Sequence, residues 1–243
     1  STSYLYMGGL LMGFLKCLIL IFAMLASCTP SNGVVIADRA EQTIEHVSRS
    51  TTSVIQQSRD AAVEILSHDV YGNPIGGTGA YVKYKKHHFV LTAAHVVSNS
   101  DLAMVSYGKE KIIAEVVYCD EEADIAVLKI EGMFTRKPLM WRTAAPRVGA
   151  EVVYTGYPNG HKDLTIEGRV GGYTGTDLII HSYAWSGSSG SVVLDHRGRI
   201  VGVLSAADIG RAFGAIPQIV EDIVIVIPIQ KLKIEDLVLS LSN

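Results

Sequence analysis

The chain has 243 residues, 48% of them hydrophobic and 19% charged, and a formal charge of −3. That length and balance suit one compact globular unit or two small fused ones, and a net-negative chain lacks the basic face that a nucleic-acid partner requires. The eight histidines are scattered and form neither an H-E-x-x-H helix nor a Cys/His cluster, so no metal and no other cofactor is expected.

Lys16 is the only charged side chain before Asp38, and residues 17–26 read CLILIFAMLA, an uninterrupted apolar run. Such a run is too short to span a bilayer and is the right length for a signal-peptide core. With a start at Met12, MGFLK is a basic leader, CLILIFAML the apolar core and LASC, Leu25 to Cys28, the end of the signal. That last stretch resembles a bacterial lipobox, whose cysteine is lipidated and becomes the first mature residue. The resemblance implies a lipoprotein held through Cys28 at the bacterial cell envelope, periplasmic or on the surface, with the membrane reached through the N-terminus. Two alternatives stay open. Extending the apolar run back to Tyr4, across Lys16, gives about 23 residues, long enough for an uncleaved single-pass anchor; simple secretion is the other. Beyond Cys17 and Cys28 only Cys119 remains, so the folded part has no internal disulfide and must be held by its core.

Residues 29–60 follow as a polar, partly helical tether, or a helix packed outside the domain, with nothing that suggests chemistry. From about Ala61 the pattern changes to short runs of β-branched and aromatic residues: AAVEIL, GAYVKY, HFVLT, KIIAEVVY and DIAVLKI, then EVVYTGY, LTIEGRVGGY, LIIHSY, SVVLD, RIVGVLSA and IVIVIP. Turn signals such as YGNPIGG, KKHH and SYGKE separate them. The polar stretch TRKPLMWRTAAPRVGA, residues 135–150, divides the two groups. Many short strands at this spacing predict all-β barrels or sandwiches rather than βαβ units. Past Pro228, Ile234, Leu237, Val238 and Leu241 fall at i, i+3, i+4 and i+7, which predicts a short amphipathic helix within 229–241.

Three positions stand out for chemistry. FVLTAAHVV places His95 just after a strand, EEADIAVLKI places Asp124 at the head of one, and AWSGSSGSVVLD crowds serines between glycines. Taken singly, the histidine suits a core group and the aspartate a turn former. A serine hydroxyl needs a base, a group to orient that base and donors for the developing oxyanion.

The blocks LTAAHVV, DIAVLKI and SGSSGSVVLDHRGRIVGVLSA resemble, in order, the three signature blocks of the chymotrypsin-like serine proteases, nearest the bacterial Do/high-temperature-requirement branch. GGTGAYV is similar to that branch's opening Gly-Ser-Gly strand, and GYPNGHKDLTIEGRVGG to its Gly-x-Pro-x-Gly segment. The resemblance covers about Ala61 to Gln230. It implies two six-stranded antiparallel β-barrels with a short C-terminal helix, barrel one over about 61–135 and barrel two over about 147–228, and peptide-bond hydrolysis on protein or peptide substrates. Aligned on Gly-x-Ser-Gly, it assigns Ser189 as nucleophile, His95 as base and Asp124 as its orienting partner, with the N–H groups of Gly187 and Ser189 as the oxyanion hole. Ser205 matches a serine that supports the buried aspartate. The specificity pocket falls near Tyr183, Ala184, Ala206 and Ala207, none of them acidic, which implies an apolar rather than a basic preference.

The chain departs from the family pattern in two places. Ser191 and Val192 stand where Gly-Pro is usual. Ser188 stands where digestive members carry the aspartate that captures a freshly cut N-terminus, so no activating cleavage is expected. The chain ends shortly after Gln230, and no trailing PDZ module is expected. Two other readings stay open: a catalytically silent, protease-like binding or structural protein, and an esterase or amidase, against which GSSGS lacks the final glycine of G-x-S-x-G.

Overall fold

The structure, a computed structural model, describes residue 43 and residues 52–132, 135–207 and 222–242, without the side chains of residues 206, 207, 236 and 240. The expected leader, the lipobox-like stretch and most of the expected tether therefore lie outside the described residues. So do the side chains of Ala206 and Ala207.

Thirteen strands dominate, in chain order β1 (Ala62–His68), β2 (Pro74–Tyr84), β3 (His87–Thr92), β4 (Leu102–Tyr107), β5 (Glu110–Asp120), β6 (Ile125–Lys129), β7 (Leu139–Met140), β8 (Glu151–Gly156), β9 (Leu164–Thr174), β10 (Asp177–His181), β11 (Val192–Asp195), β12 (Ile200–Ala207) and β13 (Ile223–Pro228). The first six close in the order β1-β4-β5-β6-β3-β2 through the β1–β2 pairing, and β8 to β13 close in the order β10-β13-β12-β11-β8-β9. These are the two six-stranded antiparallel barrels expected from the resemblance.

Side-chain direction alternates along a strand, so a half-buried strand alternates in polarity while one buried on both faces is continuously apolar. The second kind explains SVVLD and RIVGVLSA. Val193, Val201 and Leu204 fill barrel two with Tyr154, Leu178, Ile180, Val224 and Val226. Their neighbours Val192, Leu194, Ile200 and Val203 point the other way, into a second core that runs through barrel one with Ile65, Phe89, Leu91, Ile125 and Leu128. Each such aliphatic or aromatic side chain taken from water contributes roughly 1.5–3 kcal/mol.

Two strands escape the sequence reading. In β4, LAMVSY, only Val105 and Tyr107 are β-branched or aromatic, so the strand signal is weak beside the turn residues that flank it. Within the polar divider, β7 lies parallel to β2 with Val82 opposite Leu139. Leu139 is buried, and Trp141 packs edge-on to Tyr84 and against Phe89.

Among the described residues, two helices flank the barrels. Residues 52–61 form one, with Val54 and Ala61 in the core of barrel one and the Ser58 hydroxyl donating to Thr155 Oγ1 at 2.9 Å. The other, Ile234–Ser242, buries Leu237 and Leu241 against the same core, as its spacing predicts. Arg136 joins helix, divider and barrels. Its Nη2 donates to the carbonyls of Arg59 (2.9 Å) and Ala62 (2.7 Å) and lies 3.6 Å from Asp163, while its guanidinium stacks over Tyr107.

Candidate active site

β3 ends in Thr92, and the buried Ala93 and Ala94 let the chain turn tightly into a single 3-10 turn, Ala94–Val96, that lifts His95 to the surface. The side chain of His95 is 48% exposed and that of Asp124 only 18%. Asp124 closes the turn before β6 with φ of 52°, a left-handed conformation that aspartate tolerates better than most residues. The Asp120 carboxylate holds the same turn by accepting the Ala123 N–H at 2.9 Å.

This geometry aims the Asp124 carboxylate at His95 twice. The His95 backbone N–H donates to Asp124 Oδ1 at 3.0 Å, and His95 Nδ1 lies 3.0 Å from both carboxylate oxygens. A carboxylate only accepts, so Nδ1 carries the proton and Nε2 is left as the basic nitrogen. The Ser205 hydroxyl donates to Asp124 Oδ2 from the other side. Burial pushes the Asp124 carboxyl up, but the hydrogen bonds from His95 and Ser205 and the nearby imidazole more than offset it, and the group is held below the ordinary carboxylate range.

Ser205 reaches Asp124 because β12 bulges there. Leu204 pairs with Val226 and Ala206 with Ile225, leaving Ser205 as the extra residue. A bulge re-aims a side chain out of the regular alternation. The same residue receives the serine loop, for Ser189 Oγ donates to the Ser205 carbonyl at 3.1 Å. The structure thus brings His95, Asp124 and Ser205 together and ties Ser189 to the last of them. Among the described residues, no hydrogen bond joins Ser189 Oγ to His95.

Residues 186–190 are held peptide by peptide. The Ser186 carbonyl accepts the Asn159 N–H (2.8 Å), the Gly187 carbonyl accepts the Thr78 hydroxyl (2.6 Å), the Ser188 carbonyl accepts the Ser191 N–H (3.0 Å) and the Ser189 carbonyl accepts the Thr78 N–H (2.8 Å). The N–H of Ser188 goes to the Trp185 carbonyl and that of Gly190 to the Leu204 carbonyl. Three N–H groups of this run, those of Ser186, Gly187 and Ser189, have no acceptor among the described residues, and the last two directly follow anchored carbonyls. In a trans peptide the C=O and the following N–H point to opposite edges, so anchoring the Ser186 and Ser188 carbonyls turns these two donors away from the anchors. Gly187 sits at φ +94°, and a Cβ there would come within 2.6 Å of the Tyr157 carbonyl, so only glycine fits.

Ser188 is fully buried, and its Oγ accepts the Trp185 N–H at 3.2 Å, closing the turn on itself. Tyr183 is half exposed and stacks on Trp185 with ring centroids 6.1 Å apart and planes 9° from parallel; its carbonyl accepts the Tyr154 hydroxyl. Ala184 packs at the edge of the barrel-two core. Sequence reasoning missed Thr78, Asn159 and Trp185 as neighbours of this loop. The Asn-Gly pair in YPNG signals a turn with positive φ, and Asn159 indeed has φ of 50°. The signal for Thr78 is weaker: a hydroxyl between two glycines in GGTG.

A family model described as the trypsin-like peptidase domain matches residues 77–203. The serine protease Rv3671c of Mycobacterium tuberculosis is 28% identical over 151 residues, which cover 56% of this chain and 37% of that protein. The Do-like serine protease HtrA of Lactococcus lactis is 25% identical over 192 residues, 66% of this chain and 47% of that protein. The chain therefore spans about half or less of the length of these curated relatives. Among solved structures, the active form of the Rv3671c protease superposes with a TM-score of 0.60 at 25% identity, covering 72% of this chain and 78% of that one. A serine endoprotease from Yersinia pestis gives a TM-score of 0.62 at 19% identity, over 79% of this chain and 67% of that chain, a likeness of fold.

Proposed function

Because the chain belongs to the trypsin-like peptidase domain family, we propose that it is a serine endopeptidase in which Ser189, His95 and Asp124 form the catalytic triad. The observation that carries this reading is the Asp124–His95 pairing, which takes up Nδ1 and leaves His95 Nε2 as the basic nitrogen. Gly190 seats that loop against barrel one: a Cβ there would come within 2.0 Å of the Thr78 carbonyl and 2.2 Å of Thr92 Oγ1, in the strand that leads to His95.

In this mechanism a change of χ1 moves Ser189 Oγ from the Ser205 carbonyl to His95 Nε2; active-site hydrogen bonds of this kind tighten when substrate binds. Nε2 takes the hydroxyl proton as Oγ attacks the scissile carbonyl carbon. The C=O π pair moves to oxygen, and the N–H groups of Gly187 and Ser189 stabilise that charge, each by roughly 3–4 kcal/mol. The imidazolium, held by Asp124, gives its proton to the leaving amine as the C–N bond breaks, leaving an acyl-enzyme on Ser189. Water, deprotonated by the same imidazole, releases the acid and restores the serine.

The Ser188 side chain, satisfied by its own turn, supports a loop that needs no captured N-terminus. Trimming residues before the helix at 52–61 is then expected to leave turnover nearly unchanged. The small Ala184, and a Tyr183 that stacks outward on Trp185, support an apolar preference at the substrate residue before the cleaved bond, in a pocket that Ala206 and Ala207 would complete. On sequence alone, the leader supports envelope tethering, through a lipidated Cys28 or an uncleaved anchor. The intact mass of membrane-fraction protein distinguishes the two.

The deciding experiment is turnover of a peptide library by the parent and by Ser189→Ala. The proposal expects cleavage after apolar residues by the parent and a loss of at least about a thousandfold in the variant. Equal cleavage by both, or none by folded parent protein, overturns it.

A further inference from the structure

Thr78, in the middle of β2, takes no part in the chemistry above, yet it holds the loop on which that chemistry rests. It is completely buried and makes four hydrogen bonds. Its N–H donates to the Ser189 carbonyl (2.8 Å), its hydroxyl donates to the Gly187 carbonyl (2.6 Å) and accepts the Tyr157 N–H (3.0 Å), and its carbonyl accepts the Thr92 hydroxyl (2.7 Å). Thr78 belongs to barrel one, Tyr157 and Gly187 to the loops of barrel two. One hydroxyl therefore pins two loops of the second barrel to a strand of the first.

Any residue except proline could supply the backbone bond to Ser189. The bond to Gly187 needs a hydroxyl, which has one proton to give and lone pairs to receive. With its proton on the Gly187 carbonyl and a lone pair on the Tyr157 N–H, the Thr78 side chain is fixed in rotation. The position matters because glycine is the residue with the widest backbone freedom, and Gly187 sits at φ +94°. Its own carbonyl is the one feature of that residue gripped by a side chain from the other barrel. Releasing it leaves the 187–188 peptide held at one end alone, by the Ser188 N–H on the Trp185 carbonyl. The Gly187 and Ser189 N–H groups lie in the peptides on either side of it, so the loss loosens their directions relative to each other, although the Ser186 and Ser188 carbonyls keep their own anchors.

We propose that Thr78 is a positioning residue, whose hydroxyl orients the 187–188 peptide and so keeps the Gly187 and Ser189 N–H groups set for the oxyanion. The inference rests on the endopeptidase reading given above, but the peptide's rigidity can be measured without turnover.

The test compares the parent with Thr78→Val, which keeps the shape and β-branch without the hydroxyl, and Thr78→Ser, which restores it. Steady-state kinetics on one peptide substrate are read beside hydrogen–deuterium exchange of peptides covering residues 184–191. For Thr78→Val the expected result is a kcat lower by about 30–100-fold with KM within about twofold, since a donor set for the transition state alone is lost. Exchange over 184–191 rises about tenfold while β4 to β6 are unchanged, and Thr78→Ser returns both readouts to within about threefold of the parent. If Thr78→Val does not fold, Thr78→Ala is read the same way. A folded hydroxyl-less variant with parental kcat and parental exchange overturns the proposal, as does a loss that Thr78→Ser fails to recover. If the folded parent itself shows no turnover, the endopeptidase reading falls, and the exchange measurement alone decides whether Thr78 positions the loop.

Discussion

Asp124 receives three donors, the Nδ1–H and backbone N–H of His95 and the Ser205 hydroxyl, and each has its own consequence. The His95 bonds set tautomer and orientation together. The Ser205 bond stabilises the carboxylate without touching the imidazole. Removing it by Ser205→Ala costs the charged oxygen one hydrogen bond, on the order of 1.5–3 kcal/mol. In the proposed mechanism, part of that loss falls on the aspartate's ability to stabilise the imidazolium. Expected is a kcat lower by about tenfold at unchanged protein stoichiometry, with Ser189 still reactive, measured by active-site titration followed by steady-state kinetics. Because the Ser205 carbonyl, not its side chain, receives Ser189 Oγ, the substitution leaves that contact in place.

Among the elements, β12 and the divider show where sequence was informative and where it was not. The continuous apolar runs of β11, β12 and β13 announce strands buried on both faces, and the structure has them so. The bulge that isolates Ser205 leaves no comparable mark, since it arises from pairing with β13, about twenty residues on. Resemblance located Ser205; periodicity alone would have assigned it to one face of a regular strand. Thr78 was hidden for a related reason: its partners at 157, 187 and 189 are distant in sequence. In the divider, Arg136 reads as a solvated charge, but its Nη2 donates to two backbone carbonyls at the end of the helix at 52–61 and the start of β1. A lysine ammonium could still donate to both carbonyls, but it has no planar guanidinium to stack on Tyr107. Arg136→Lys is expected to lower stability by about 1–3 kcal/mol, read as a fall in urea midpoint at constant m-value.

For the molecule as a whole, Cys119 is the one cysteine among the described residues, so packing and buried carboxylates such as Asp195 hold them together without an internal disulfide. Asp195, at the turn between β11 and β12, is almost fully buried. It accepts the N–H groups of Arg197 and Arg199, both at 2.9 Å, and pairs with the Arg199 side chain at 2.6 Å. Burial raises its pKa, but the Arg199 and Arg197 hydrogen bonds outweigh that and hold it below the ordinary value. Asp124 behaves alike. In the unfolded chain such groups titrate near about 3.9. The unfolded state therefore binds protons first as pH falls, and the stability these groups contribute is intact above about pH 4 and is lost as pH drops through their lower folded values. Asp195→Asn is expected to be less stable at pH 7, by about 1–3 kcal/mol, and to show a shallower loss of stability below pH 4. Denaturant midpoints taken from pH 7 down to pH 2.5 check both.

The central claim is that Ser189 is a nucleophile activated by His95, and covalent capture tests it most directly. Folded protein is treated with a fluorophosphonate, and the adduct is located by peptide mass mapping. The account predicts one adduct per chain, on Ser189, formed at least about a hundredfold more slowly in His95→Ala. Folded parent that takes up no phosphonate, or an adduct on another serine, would contradict it.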